Sequence, residues 1–167
     1  MRFYGYVGPE EIRRKAKGAA GAAIATPAAL LEWLRATGQQ PDESGLTTVT
    51  FVVDEVGRLR VADRRSEHVA CAGGGRVRAA GEMAFAVEKW PGVVEVSNYS
   101  TGYCPEPECW PEVAQALDII PLAHPGRFTR PVLFRRCPKC GQRNVVKDEW
   151  FVCAVCGTEL PPAWNFA

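Results

Sequence analysis

Two Cys-x2-Cys-Gly units, Cys137-Pro-Lys-Cys140-Gly141 and Cys153-Ala-Val-Cys156-Gly157, stand 12 residues apart in the last third of the chain. Two residues between thiolates let a tight turn aim both sulfurs at one ion, and the glycine that follows takes the positive φ that closes the turn. Two such turns facing each other complete a tetrahedron. Cys137, Cys140, Cys153 and Cys156 are therefore the candidate metal ligands, and Zn2+ is the ion this spacing favours. Iron in a four-sulfur centre is the metal alternative, and a redox dithiol pair is the chemical one. Four thiolates leave no open coordination position, so the ion is expected to be structural and not a Lewis acid. Its ligand bonds replace hydrophobic core that so short a segment cannot build.

Residues 135–160 resemble a zinc ribbon. The spacer 142–152 places Val145, Val146, Trp150, Phe151 and Val152 around a charged Lys147-Asp148-Glu149 tip and reads as a hairpin joining the two turns. Between Asp118 and Asp148 there are seven bases and no acid, whereas Asp54 to Glu108 holds nine acids and seven bases. Such asymmetry suits an acidic protein or a nucleic acid, and Arg127, Arg130 and Arg143 are the candidate contacts. The competing reading is compensation: a zinc held by four thiolates carries a formal charge of −2, and Arg136, Lys139, Arg143 and Lys147 are near enough in sequence to offset it.

The rest of the chain reads as an α+β protein, with a small antiparallel β-sheet domain, N-terminal helices and the C-terminal ribbon. At 167 residues, with 47% hydrophobic and 23% charged residues, it has the means to bury one core plus a small appendage. Three segments are expected: helical residues 1–45, a β-rich domain over 46–125, and the ribbon with an aromatic tail over 126–167. Glu10 and Glu11 precede Arg13, Arg14, Lys15 and Lys17 in the order that suits a helix dipole, with Gly18 as the stop. Thr26-Pro27 begins a second helix whose Leu30, Leu31, Trp33 and Leu34 need a surface to cover. From Leu46 the period becomes two, and residues 46–53 and 58–61 form a hairpin. Residues 76–79, 82–87 and 93–97 are further strands, with Gly81 and Trp90-Pro91-Gly92 as breaks. Residues 111–119 read as a helix, and 128–136 as a strand with Pro131 at an edge. Trp164 and Phe166 are expected to fold back onto the body. No stretch is long and apolar enough to cross a bilayer, and the N-terminus lacks a secretory pattern, which places the chain in the cytoplasm.

Outside the ribbon, Cys71, Cys104 and Cys109 join His68 as a conceivable second metal set, the alternative being small buried hydrophobes. The stretch from His68 to Pro105 has His68, Gly74-Gly75, Ala79-Ala80-Gly81, Ser100, Tyr103 and Pro105 at matching intervals. Over residues 48–110 this resembles a domain of plant IQ-motif calmodulin-binding proteins and some bacterial toxin-like proteins. Val69-Ala70 and Thr101-Gly102 replace the serines and the Gly-His of that pattern, so the resemblance implies a fold more than a reaction. A pocket around His68, Asn98 and Tyr103 is the candidate catalytic site, with His68 as base and a nucleotide-like ligand as substrate. The alternative is that His68 and Tyr103 are core residues with satisfied polar tips. Glu106, Glu108 and Glu112 suit the start of a helix. No Walker loop, Gly-x-Ser-x-Gly elbow, Rossmann fingerprint or His-Glu-x-x-His occurs, which favours a non-enzymatic binding module over the enzyme or toxin-like alternative.

Overall fold

In the computed structural model, which describes residues 1–87 and 91–167, the chain is α+β. It runs through α1 (Glu10–Ala16), β1 (Ala22–Ala23), α2 (Pro27–Ala36), β2 (Leu46–Asp54), β3 (Leu59–Asp63) and α3 (His68–Cys71). It continues through β4 (Val77–Val87), β5 (Pro91–Val96), α4 (Trp110–Ile119), β6 (Leu133–Arg136) and β7 (Arg143–Val146). Strands β1 to β5 form one antiparallel sheet in the order β1-β3-β2-β4-β5, and β6 pairs with β7 in a separate hairpin.

Strand β2 is the centre of the large sheet because it is apolar on both faces: Val49, Phe51, Val52 and Val53 have no exposed surface. A strand of that kind needs cover on both sides. Helix α4 supplies some of it with Val113, Ala116 and Leu117, packed toward β2, β3 and β4, and the single turn α3 lies against β2 and β3. Helix α2 begins as its sequence dictates. Thr26 Oγ1 accepts from Ala29 N at 3.1 Å, Pro27 takes the first helical position, and Leu30 and Leu34 are buried. Tyr4, Ala16, Ile24, Leu30 and Leu34 share one core with the sheet, and Tyr4 bridges to Val77. Residues 1–45 are thus joined to the β-rich segment by a common interior.

Two expected breaks are different in the structure. Residues 77–79 and 82–87 belong to one continuous strand, β4, which passes straight through Gly81, and Arg76 precedes it. That glycine serves a close approach instead of a turn: a Cβ on it would lie 1.9 Å from Ser97 O. Gly81→Ala is expected to force β4 and the end of β5 apart and to cost about 3 kcal/mol. Gly5→Ala, where a Cβ meets nothing within 4 Å, should stay within about 0.5 kcal/mol of the parent; urea unfolding of the two variants reads the difference. Of the turn expected at Trp90-Pro91-Gly92, Trp90 lies outside the described residues, and Pro91 and Gly92 open β5.

The strand expected over 128–136 is shortened to Leu133–Arg136. Pro131 stays outside it, and the preceding residues hang on the end of β5, with Thr129 N and Arg130 N both donating to Val96 O. The aromatic tail folds back. Trp164 Nε1 donates to Cys104 O at 2.8 Å and its ring meets Tyr4 edge-on, while Phe166 joins Cys104 and Phe134 in a small buried cluster. Among the described residues no helix is long and apolar enough to cross a membrane.

Candidate metal centre

Each Cys-x2-Cys turn sits at the tip of its own pair of extended segments. β6 and β7 bracket Cys137 to Cys140, and an isolated bridge between Val152 and Glu159 brackets Cys153 to Cys156. The spacer is therefore not one hairpin linking the two turns, as its alternation suggested. It supplies the second strand of the first hairpin, reverses at Asp148 and Glu149 with φ of 50° and 57°, and then enters the second.

The two turns repeat one hydrogen-bond pattern. Cys137 N donates to Gln142 O and Gly141 N to Cys137 O; Cys153 N donates to Thr158 O and Gly157 N to Cys153 O. Gly141 and Gly157 take φ of 75° and 70°, the left-handed conformation that the sequence assigned to them. All four sulfurs lie within 4.8 Å of one another. Contacts of 3.5 Å for Cys137–Cys156 and 3.6 Å for Cys140–Cys153 cross between the turns. Four thiolates about 2.3 Å from one tetrahedral ion stand about 3.8 Å apart, so the donor set fits a single metal centre.

The surroundings prepare these sulfurs for a cation. A main-chain hydrogen bond from Cys156, together with others from Val155 N and the Asn144 side chain, brings the Cys153 thiol down to about 6 despite the opposing effect of burial. The hydroxyl and then the amide of Thr158 lower Cys156. At Cys140 the bond from the Gln142 amide is outweighed by burial and by the other three sulfurs, which push that thiol up to about 12. Crowding of this kind is relieved when a cation replaces the shared protons. Asn144 is the residue that cysteine spacing alone does not reveal. It is buried, its amide nitrogen donates to Cys153 Sγ at 3.5 Å, and its carbonyl oxygen accepts from Ala154 N at 3.0 Å, so it ties one turn to the other.

The conceivable second metal set does not assemble. Among the described residues the quartet is the one group of this kind. Cys71 donates to Arg60 O, Cys104 donates to Thr101 O, and Cys109 packs in the main core. Burial pushes each of these three thiols up to about 12, the behaviour of small hydrophobes.

The structure gives His68, Asn98 and Tyr103 separate main-chain partners. His68 Nε2 is 2.9 Å from Gly81 O, Tyr103 Oη donates to Gly75 O at 2.6 Å, and Asn98 donates to Pro105 O and Val132 O while accepting from Val132 N. Tyr103 and Asn98 have no exposed surface. Asn98 therefore fastens the start of the ribbon to the sheet domain. Burial draws the His68 pKa below 6.5, more strongly than the Gly81 bond raises it. A histidine kept neutral in the fold but not in the unfolded chain costs stability as pH falls below about 6.5, because the unfolded state binds the proton first. The loss continues until the folded-state pKa is reached. His68→Asn should flatten the pH dependence of unfolding between pH 7 and 5.5 relative to the parent.

The basic residues near the ribbon divide by role. Arg135 is buried and pairs with Glu106 at 2.8 Å, and Arg136 stacks over Phe166. Arg143 donates to Thr101 O, and Arg130 pairs with Glu95 at 3.1 Å on the surface, while Arg127 is exposed. Glu112 pairs with Arg78 at 3.3 Å, and Glu108 opens the turn before α4. Comparison with protein-family models, with curated proteins and with solved structures finds no match to this chain, so the likeness of residues 48–110 to the plant and toxin-like domain has no support beyond its residues.

Proposed function

We propose that this protein is a zinc-binding recognition module without catalytic activity of its own, in which Cys137, Cys140, Cys153 and Cys156 hold a structural Zn2+. The closure of the sulfur quartet carries the reading: every position of a tetrahedral ion is taken, and none remains for a substrate. Iron in the same cage would colour the protein by thiolate-to-metal charge transfer, which separates the two metals at a glance. Reduced thiols suit the cytoplasm, where we place the protein.

The partner we propose is a protein, met by Arg127 and Arg130 together with the outer turns of the ribbon. Trp150 and Val155 on those turns are 70% and 67% exposed, and an exposed tryptophan is the residue type that most often anchors protein interfaces. Asp148, Glu149 and Glu159 interrupt the ribbon's bases, which suits a nucleic-acid backbone less well. The test is crosslinked capture from native lysate, with and without nuclease. Capture that survives nuclease and falls in Trp150→Ala and in Arg127→Glu/Arg130→Glu supports the reading. Capture abolished by nuclease assigns the surface to nucleic acid, and unaltered capture by both variants removes this face from the proposal.

A further inference from the structure

The turn between β2 and β3, the Gly73-Gly74-Gly75 loop after α3, and Gly18 after α1 surround an open cavity of about 380 Å3. That volume falls in the range of small-molecule sites, roughly 300–1,000 Å3. Three arginines line it, Arg58, Arg60 and Arg76, with two acids, Asp54 and Glu55.

Both acids are engaged by neighbouring donors, whereas two of the arginines keep amino groups free. Asp54 Oδ1 accepts from Val56 N and Arg58 N, and its Oδ2 accepts from Arg58 Nε at 3.0 Å and Arg60 Nε at 2.9 Å. Burial opposes ionisation of Asp54, yet these bonds hold its carboxyl below the usual range. Glu55 Oε1 accepts from Arg76 Nε at 2.7 Å. Each of these side-chain contacts engages Nε, the edge of the guanidinium that fixes its orientation. The terminal amino groups of Arg58 and Arg76 have no acceptor among the described residues, whereas Arg60 uses one of its own on Gly21 O.

Guanidinium groups oriented by carboxylates, with their paired amino groups free, match the oxygens of a phosphate. The remaining wall is apolar, with Ala20, Ala72 and Val56, the last 67% exposed. A bare inorganic ion has no use for it.

We infer that this cavity binds a small phosphate monoester, its phosphate on Arg58 and Arg76 and its organic body against Ala20, Val56 and Ala72. The site shares no residue with the metal centre, so its failure and that of the zinc reading are separable. The test is calorimetric titration of the metal-loaded full chain with phenyl phosphate and adenosine 5′-monophosphate, inorganic phosphate as the comparison, and amide chemical shifts to locate binding. Arg58 and Arg76 are 58% and 63% exposed, so Arg58→Gln/Arg76→Gln should retain fold and metal. Saturable one-to-one binding of an ester is expected, shifting Val56, Gly73 and Gly75 and weakened at least about tenfold in the double variant. No saturation by either ester, undiminished binding in the variant, shifts elsewhere, or inorganic phosphate binding as tightly as the esters would each overturn it.

Discussion

Cys153→Ser is expected to empty the metal centre and melt residues 137–160 while the five-stranded sheet stays folded. The reason is the size of the ribbon's own core. Its buried cluster is Cys137, Val146, Cys153 and Leu160, and two of those four belong to the sulfur quartet. Burying Val146 and Leu160 contributes about 1.5–3 kcal/mol each. Ordering backbone costs about 1–2 kcal/mol per residue, so burial alone falls far short for a segment of this length. A structural zinc contributes an apparent 10–16 kcal/mol or so near neutral pH, several times what the two buried side chains supply, so the order of the segment depends on it. The sheet has a separate interior built from Phe51, Phe85, Leu117 and their neighbours, which contains none of the four quartet cysteines. Hydrogen exchange should therefore show protection lost across both Cys-x2-Cys turns and kept in β2 and β4. The buried thiols Cys71, Cys104 and Cys109 are not expected to capture the released ion, since burial keeps them protonated.

Glu106→Ala should also destabilise the protein, by a different route. Arg135 lies between the sheet domain and the ribbon, its side chain 5% exposed against 12% for Glu106. Its guanidinium also donates to Phe134 O and twice to Pro162 O, which joins β6, the tail and the segment before α4. Removing the carboxylate leaves a buried cation without its counter-charge, at a cost of about 3–5 kcal/mol. Replacing both partners, as in Glu106→Leu/Arg135→Met, removes the charge itself. That double variant should be more stable than Glu106→Ala alone, though Pro162 O loses its donors. Urea unfolding of the single and double variants measures the coupling. Equal stability of Glu106→Ala and the parent would show that the pair does not hold the two parts together.

These two predictions rest on features of unequal visibility in the sequence. The quartet was legible because a Cys-x2-Cys-Gly turn is a local object: spacing sets the sulfur geometry, and glycine supplies the positive φ at Gly141 and Gly157. The Thr26-Pro27 helix start and the β2–β3 hairpin were legible for the same reason. What joins the parts was not. Arg135 finds Glu106 across 29 residues, and Asn98 reaches Val132 across 34. Neither pairing leaves a periodic trace. Gly81 looked like a break because glycine commonly ends strands, whereas here it admits the Ser97 carbonyl of a neighbouring segment. The role of Asn144 depends on the second turn folding over the first, which no local rule specifies.

The most direct test is elemental analysis of the protein purified without added metal, followed by hydrogen exchange before and after treatment with a strong chelator. The account predicts one zinc per chain, and loss of protection confined to residues 137–160 when it is withdrawn. Protein without stoichiometric metal, or a ribbon equally protected after chelation, would contradict it.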